Sequence, residues 1–212
     1  MDAKFPDPKF GPNFPSTDKS MNDFHFYWTE GWRHIMSKGA LDHILFIAAL
    51  ALLHTLADWK RVVVLVTAFT LGHALTLLLS VTDVIRFKEE WVEFLIPCTI
   101  AATAAFNLVQ SRLTEGTFRL NYLMAFVFGL VHGMGYANAI RFMLAKDQSL
   151  GAALLAFNLG LEIGQIFVVL SVIALGHAVC SVPGMKRVWW VRTMSALILA
   201  WAMLIAWERI PF

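Results

Sequence analysis

The sequence predicts an all-α membrane protein, a six-transmembrane-helix bundle with an N-terminal interfacial helix. Three observations carry that prediction. Hydrophobic residues make up 58% of the chain and charged ones only 15%, with a mean hydropathy of +0.63, far from the roughly 25% charged residues of soluble domains. Apolar runs of about 20 residues, the length needed to cross a hydrocarbon core, recur between short polar breaks. One of those runs also contains a carboxylate, Glu162, at a depth where such a group is costly and usually functional.

Residues 1–20 carry four prolines and alternating charges without an apolar leader core, so they read as an extended proline-rich segment rather than a signal peptide. Residues 21–39 interleave Phe24, Phe26, Tyr27, Trp28 and Trp32 with Asp23, Glu30, Arg33 and Lys38, the make-up of an interfacial amphipathic helix that Gly39 would end. The transmembrane domain is expected over 40–207, with 208–212 as a tail. Its crossings fall at about Ala40 to Ala57, Val62 to Thr82, Trp91 to Gln110, Leu120 to Ala137, Gly151 to Ala178 and Trp189 to Trp207. Pro97 lies within the third, where a kink is tolerated if the freed carbonyl finds a donor. Lysines and arginines are equal in number on the two faces, so charge gives no orientation. The face bearing the amino terminus is called side A here and the other side B.

The small net charge of +2, without a basic stripe, argues against nucleic acid as a partner. Cys98 and Cys180 sit apart in apolar runs and offer neither a disulfide framework nor a zinc motif. The expected partners are the lipid bilayer and a metal ion, with an oligomer or larger membrane complex left open.

The metal expectation comes from depth. Asp42 and His43 open the first crossing, while His73, His132 and Glu162 lie on the second, fourth and fifth. At ~1.5 Å per residue all of them fall roughly 4 to 17 Å below side A. Asn158, Glu162 and Gln165 share a helical stripe at i, i+4 and i+7, with Gly160 and Gly164 beside it at a spacing that admits a close neighbour. Thr70, His73 and Thr76 recur every third residue, and Gly129 and Gly133 flank His132. Imidazoles with a carboxylate suit zinc, nickel or cobalt, with Thr70, Thr76, Asn158 and Gln165 as partners that orient the ligands. His54, Asn107 and His177 fall near side B, where an interfacial role suffices. A lone intramembrane histidine is more often a packing residue than a ligand; convergence of several is what favours a site.

The stretches GWRHIMSKGALDHILF, TAFTLGHALTL, FGLVHGMGYA and FNLGLEIGQ, in this order, resemble the HupE/UreJ family, and more closely its shorter branch without a signal peptide. The resemblance runs from about Asn22 to Val172. It implies a bacterial inner-membrane, multi-pass protein of nickel or cobalt uptake, whose histidine–aspartate–histidine element corresponds to His34, Asp42 and His43. The family's histidine–glycine element and acidic residue correspond to His132, Gly133 and Glu162. This chain has Ile35 where the better-studied branch carries proline, and a single histidine–glycine pair, which leaves nickel, zinc and cobalt open.

Three functions are compatible with this sequence. A permease would hold the cation on His34, Asp42, His43, His73, His132 and Glu162. An intramembrane zinc-dependent hydrolase would use the same cluster with Asp42 or Glu162 as general base. A structural or assembly subunit would use the polar groups only to fix helix packing.

Overall fold

The computed structural model describes residues 16–110, 115–143 and 149–211. Of the extended segment expected at 1–20, residues 1–15, with Phe5, Phe10 and Phe14, lie outside them, and residues 16–20 are helical. Seven α-helices occur among the described residues: α1 (Ser16–Met36), α2 (Leu41–Ala51), α3 (Trp59–Val81), α4 (Glu89–Val109), α5 (Glu115–Met143), α6 (Leu150–Cys180) and α7 (Arg187–Glu208). Five of them, α3 to α7, are long and apolar enough to cross a membrane. Leucines and other large apolar side chains stay exposed along α3, α6 and α7, as a lipid-facing surface requires. The fold is that of an all-α membrane protein.

The first crossing departs from the single helix expected over Ala40 to Ala57. Helix α2 has 11 residues, a rise of about 16 Å, roughly half a hydrocarbon core. Helix α1 meets it at an angle of 73° across the break at residues 37–40. The two together run from one end of the bundle to the other. Near its middle α1 places the Tyr27 hydroxyl on the carbonyl of Met143, at the end of α5 (3.0 Å). Beyond α2, the ring of His54 stands 6.0 Å from Phe118, near the start of α5, and Arg187 at the start of α7 donates to the carbonyls of Leu52 and His54 (3.3 and 2.5 Å). The pair therefore covers the same thickness as α5, and the sixth crossing is a broken one. Helix α1 also begins at Ser16, before the expected boundary at 21.

Glycine sets the close approach in two of the three main helix pairs. The most extensive contacts join α3 with α5, α1 with α6 and α4 with α7. Gly72, Gly129 and Gly133 lie against the backbones of Phe126, Phe69 and His73, so α3 and α5 touch main chain to main chain. Gly160 sits on the carbonyl of Trp28 and Gly31 on that of Phe157, which seats α1 against α6 in the same way. Lipid supplies no hydrophobic drive between helices, so close van der Waals approach of this kind is the main source of association. The partner that the small residues at 160 and 164 accept is thus α1, with Gly164 against Ile35.

Helices α3 and α6 add a polar seam. Thr67, Thr70 and His73, one turn apart, meet Glu162, Gln165 and Asn158 respectively. The threonines donate at 2.5 and 3.1 Å, and the His73 Nδ1 stands 3.4 Å from the Asn158 Oδ1. On the side A turn after α3, Asp83 holds a positive φ of 64° and receives both Arg86 and Arg141.

Candidate metal centre

The break between α1 and α2 positions the site. His34 occupies the last turn of α1 and His43 the first turn of α2, so the 73° bend folds the two rings to 4.6 Å between centroids. The ring of His73, from α3, lies 6.0 Å from His34 and 6.3 Å from His43. His132, from α5, lies 4.9 Å from His43. Ring nitrogens of His34, His43 and His73 all come within 4.8 Å of one another. Ligand nitrogens around a four-coordinate ion sit about 3.4 Å apart, so modest ring rotations turn this group into a ligand set.

Hydrogen bonding indicates which nitrogen each ring offers. His132 Nδ1 lies 2.9 Å from the carbonyl of Phe128, and a carbonyl only accepts, so Nδ1 carries the proton and a neutral ring presents a bare lone pair at Nε2. His73 is held similarly. Asn158 uses its Nδ2 to donate to the Leu154 carbonyl at 2.7 Å, which leaves its Oδ1 to accept from His73 Nδ1. The Nε2 atoms of His34, His43, His73 and His132 are buried without any hydrogen-bond partner. Each orphaned buried polar atom costs about 1–3 kcal/mol. Four together is not how a packed core is built, and neutral imidazoles with free Nε2 atoms fit a divalent transition metal.

Aromatic rings wall the group: Phe69 and Phe46 stand 5.3 and 5.1 Å from His132, and Tyr136 4.0 Å from His34. A cavity of about 340 Å³ reaches it, lined by His34, Asp42, His43, Glu93, His132 and Arg209 among others. Arg209, just past α7, binds Asp42 at 2.8 Å.

A family model described as HupE / UreJ protein matches residues 13–209. The chain belongs to the HupE/UreJ family. No curated protein and no solved structure matches it. The HupE/UreJ match takes in every helix that contributes to the imidazole group.

Of the sequence-predicted site residues, His34, His43, His73 and His132 are brought together, and Asp42 stands beside them at the cavity wall. Glu162 is not. Its carboxylate accepts from Thr67 at 2.5 Å and lines a different, mostly leucine-walled groove of about 320 Å³ between α3 and α6. The stripe containing Asn158, Glu162 and Gln165 does face α3, but only Asn158 reaches an imidazole. Thr70 donates to Val66 and Gln165, and Thr76 to the carbonyls of Gly72 and His73, so Thr76 braces the His73 backbone rather than its ring. His54 and Asn107, expected at the interface, are each only 2% exposed. Sequence reasoning missed Tyr136, Glu93, Arg209 and Thr67. Tyr136 follows His132 by one helical turn and Thr67 precedes Thr70 by one, so periodicity carried both; nothing local marked Glu93 or Arg209.

Proposed function

We propose that this chain is a divalent transition-metal permease of the bacterial inner membrane, with nickel or cobalt as the first cargo to test. The observation that supports this most is the convergence of ring nitrogens of His34, His43 and His73 beside His132, each with a buried and unpartnered Nε2, at a cavity lined by His34, His43 and His132. In this reading the cation enters past Asp42 and Glu93 and binds His34, His43, His73 and His132, with Asn158 fixing the His73 tautomer. Asp42 is already paired with Arg209, so an arriving cation displaces a guanidinium instead of meeting a free carboxylate. The association of HupE/UreJ proteins with nickel and cobalt uptake agrees with this reading.

Hydrolysis ranks second. A general base must face metal-bound water, and Glu162, one of the two candidates, lies in another groove. The test is nickel, cobalt and zinc uptake into proteoliposomes containing the whole chain, alongside equilibrium binding in detergent. Uptake above protein-free vesicles that disappears in His43→Ala supports the permease. Binding without any flux refutes it.

A further inference from the structure

The permease reading leaves one buried imidazole unused. His54 follows α2 at the side B end, is 2% exposed, and has an Nε2 with no hydrogen-bond partner. Its Nδ1 lies 3.0 Å from the carbonyl of Leu50. Since that carbonyl only accepts, the neutral ring again presents its lone pair at Nε2. Helix α2 ends at Ala51, which leaves its last carbonyls open. Asn107 from α4 fills that of Ala49 (2.6 Å), and the His54 ring fills that of Leu50. Capping accounts for Nδ1 and leaves Nε2 unexplained.

Position along α2 gives that nitrogen a role. His43, Phe46 or Ile47 and Leu50 follow one face of α2 at helical spacing, and His54, in the turn after the helix, folds its ring back onto the Leu50 carbonyl. The carbonyl that holds His54 therefore lies about 10 Å along the axis from His43. Between the two imidazoles stands Phe46, fully buried, with Phe69 at 5.2 Å and Phe128 at 5.7 Å between ring centroids. The His54 backbone is itself fixed, because Arg187 donates to its carbonyl. Helix α2 and the turn that follows it thus place one free imidazole nitrogen above and another below an aromatic layer.

We propose that His54 is a second coordinating station for the same divalent cation, on the side B half of its path, and that Phe46, Phe69 and Phe128 form the barrier between the two stations. This rests on the permease reading. A cation leaving the four-histidine centre passes the phenylalanine layer, beside which Gln165 lines a small cavity with Ile47, Leu50 and Phe69, and His54 supplies an imidazole nitrogen beyond it.

The experiment compares nickel uptake by proteoliposomes of the parent chain, His54→Gln and Phe46→Leu, with equilibrium nickel affinity and unfolding temperature measured on the same preparations. Glutamine keeps an N–H for the Leu50 carbonyl while removing the imidazole lone pair. For His54→Gln the maximal flux is expected to fall at least tenfold, with half-saturating nickel, equilibrium affinity and unfolding temperature unchanged. For Phe46→Leu, which thins the barrier, maximal flux is expected to rise at least twofold. His54→Gln flux within twofold of the parent overturns the proposal, as does a fall in flux matched by falls in affinity and unfolding temperature, or a Phe46→Leu flux no higher than the parent's. Absence of uptake by the parent itself refutes the permease, a result distinct from any of these.

Discussion

Replacing Gly31 by alanine tests whether helix packing places His34 in the metal centre. A Cβ at Gly31 would stand 1.9 Å from the carbonyl oxygen of Phe157 and 2.9 Å from the backbone nitrogen of Leu161, and real Cβ atoms stay beyond 3.0 Å. The obstacle is main chain, which cannot swing aside, so α1 must withdraw from α6 by at least about 1 Å. His34 lies one turn further along the same helix and moves with it. Ligand distances tolerate only about ±0.2 Å, so the displaced ring loses its place around the ion. Losing an orienting contact costs roughly 10- to 100-fold in metal affinity, and the same range is expected here, together with about 1–3 kcal/mol of stability from overpacking. The assay is competition for nickel and zinc against a chromophoric chelator in detergent, with thermal unfolding on the same sample. Gly151→Ala is the control, since nothing stands within 4 Å of its Cβ. Parental affinity in Gly31→Ala would refute the claim that α1 packing sets the ligand geometry.

Further outcomes are expected elsewhere. His132→Ala removes one of the four free Nε2 atoms and should lower bound metal per chain after desalting, as read by elemental analysis. Asn158→Leu frees the His73 ring and should weaken affinity by about 10- to 100-fold with the fold kept, measured by titration and circular dichroism. Glu162→Gln should leave metal stoichiometry unchanged, because its carboxylate bonds Thr67 and not an imidazole; a lost equivalent of metal would contradict the geometry. At the side A turn, the hydrogen bond from Arg86, reinforced by the charges of Arg86 and Arg141, holds the Asp83 carboxyl below its ordinary value of 3.8. A depressed carboxyl stabilises the fold above the unfolded-state pKa and loses that effect as pH falls through the folded one. The unfolding-temperature gap between parent and Asp83→Asn should therefore be full at neutral pH and close below about pH 4.

The sequence made the histidines of α2, α3 and α5 legible because hydropathy fixes depth and helical period fixes which residues share a face. His43, His73 and His132 needed nothing more. Period does not say which neighbour a face meets, and that is where Glu162 escaped: its stripe turns to α3, with Asn158 under His73 and Glu162 at the margin by Thr67. The partner of Gly160 was hidden for a related reason, because α1 is too mixed in composition to read as part of a crossing. Its aromatic residues look like an interface anchor until Tyr27 and Ile35 are seen fully buried. His54 was set aside on depth alone. Only coordinates show a nitrogen enclosed by protein at a span end.

The seating of α1 on α6 also bears on biosynthesis. The ribosome delivers Gly31 and His34 early, yet the groove that receives them contains Phe157 and Gly160, which enter the bilayer only with the penultimate crossing. Until then the leading segment has no glycine-lined surface to settle against, and its histidine has no fixed position. In the permease reading, metal capture is consequently a property of the chain once α6 has inserted, and a nascent protein halted before that insertion would lack the assembled imidazole group.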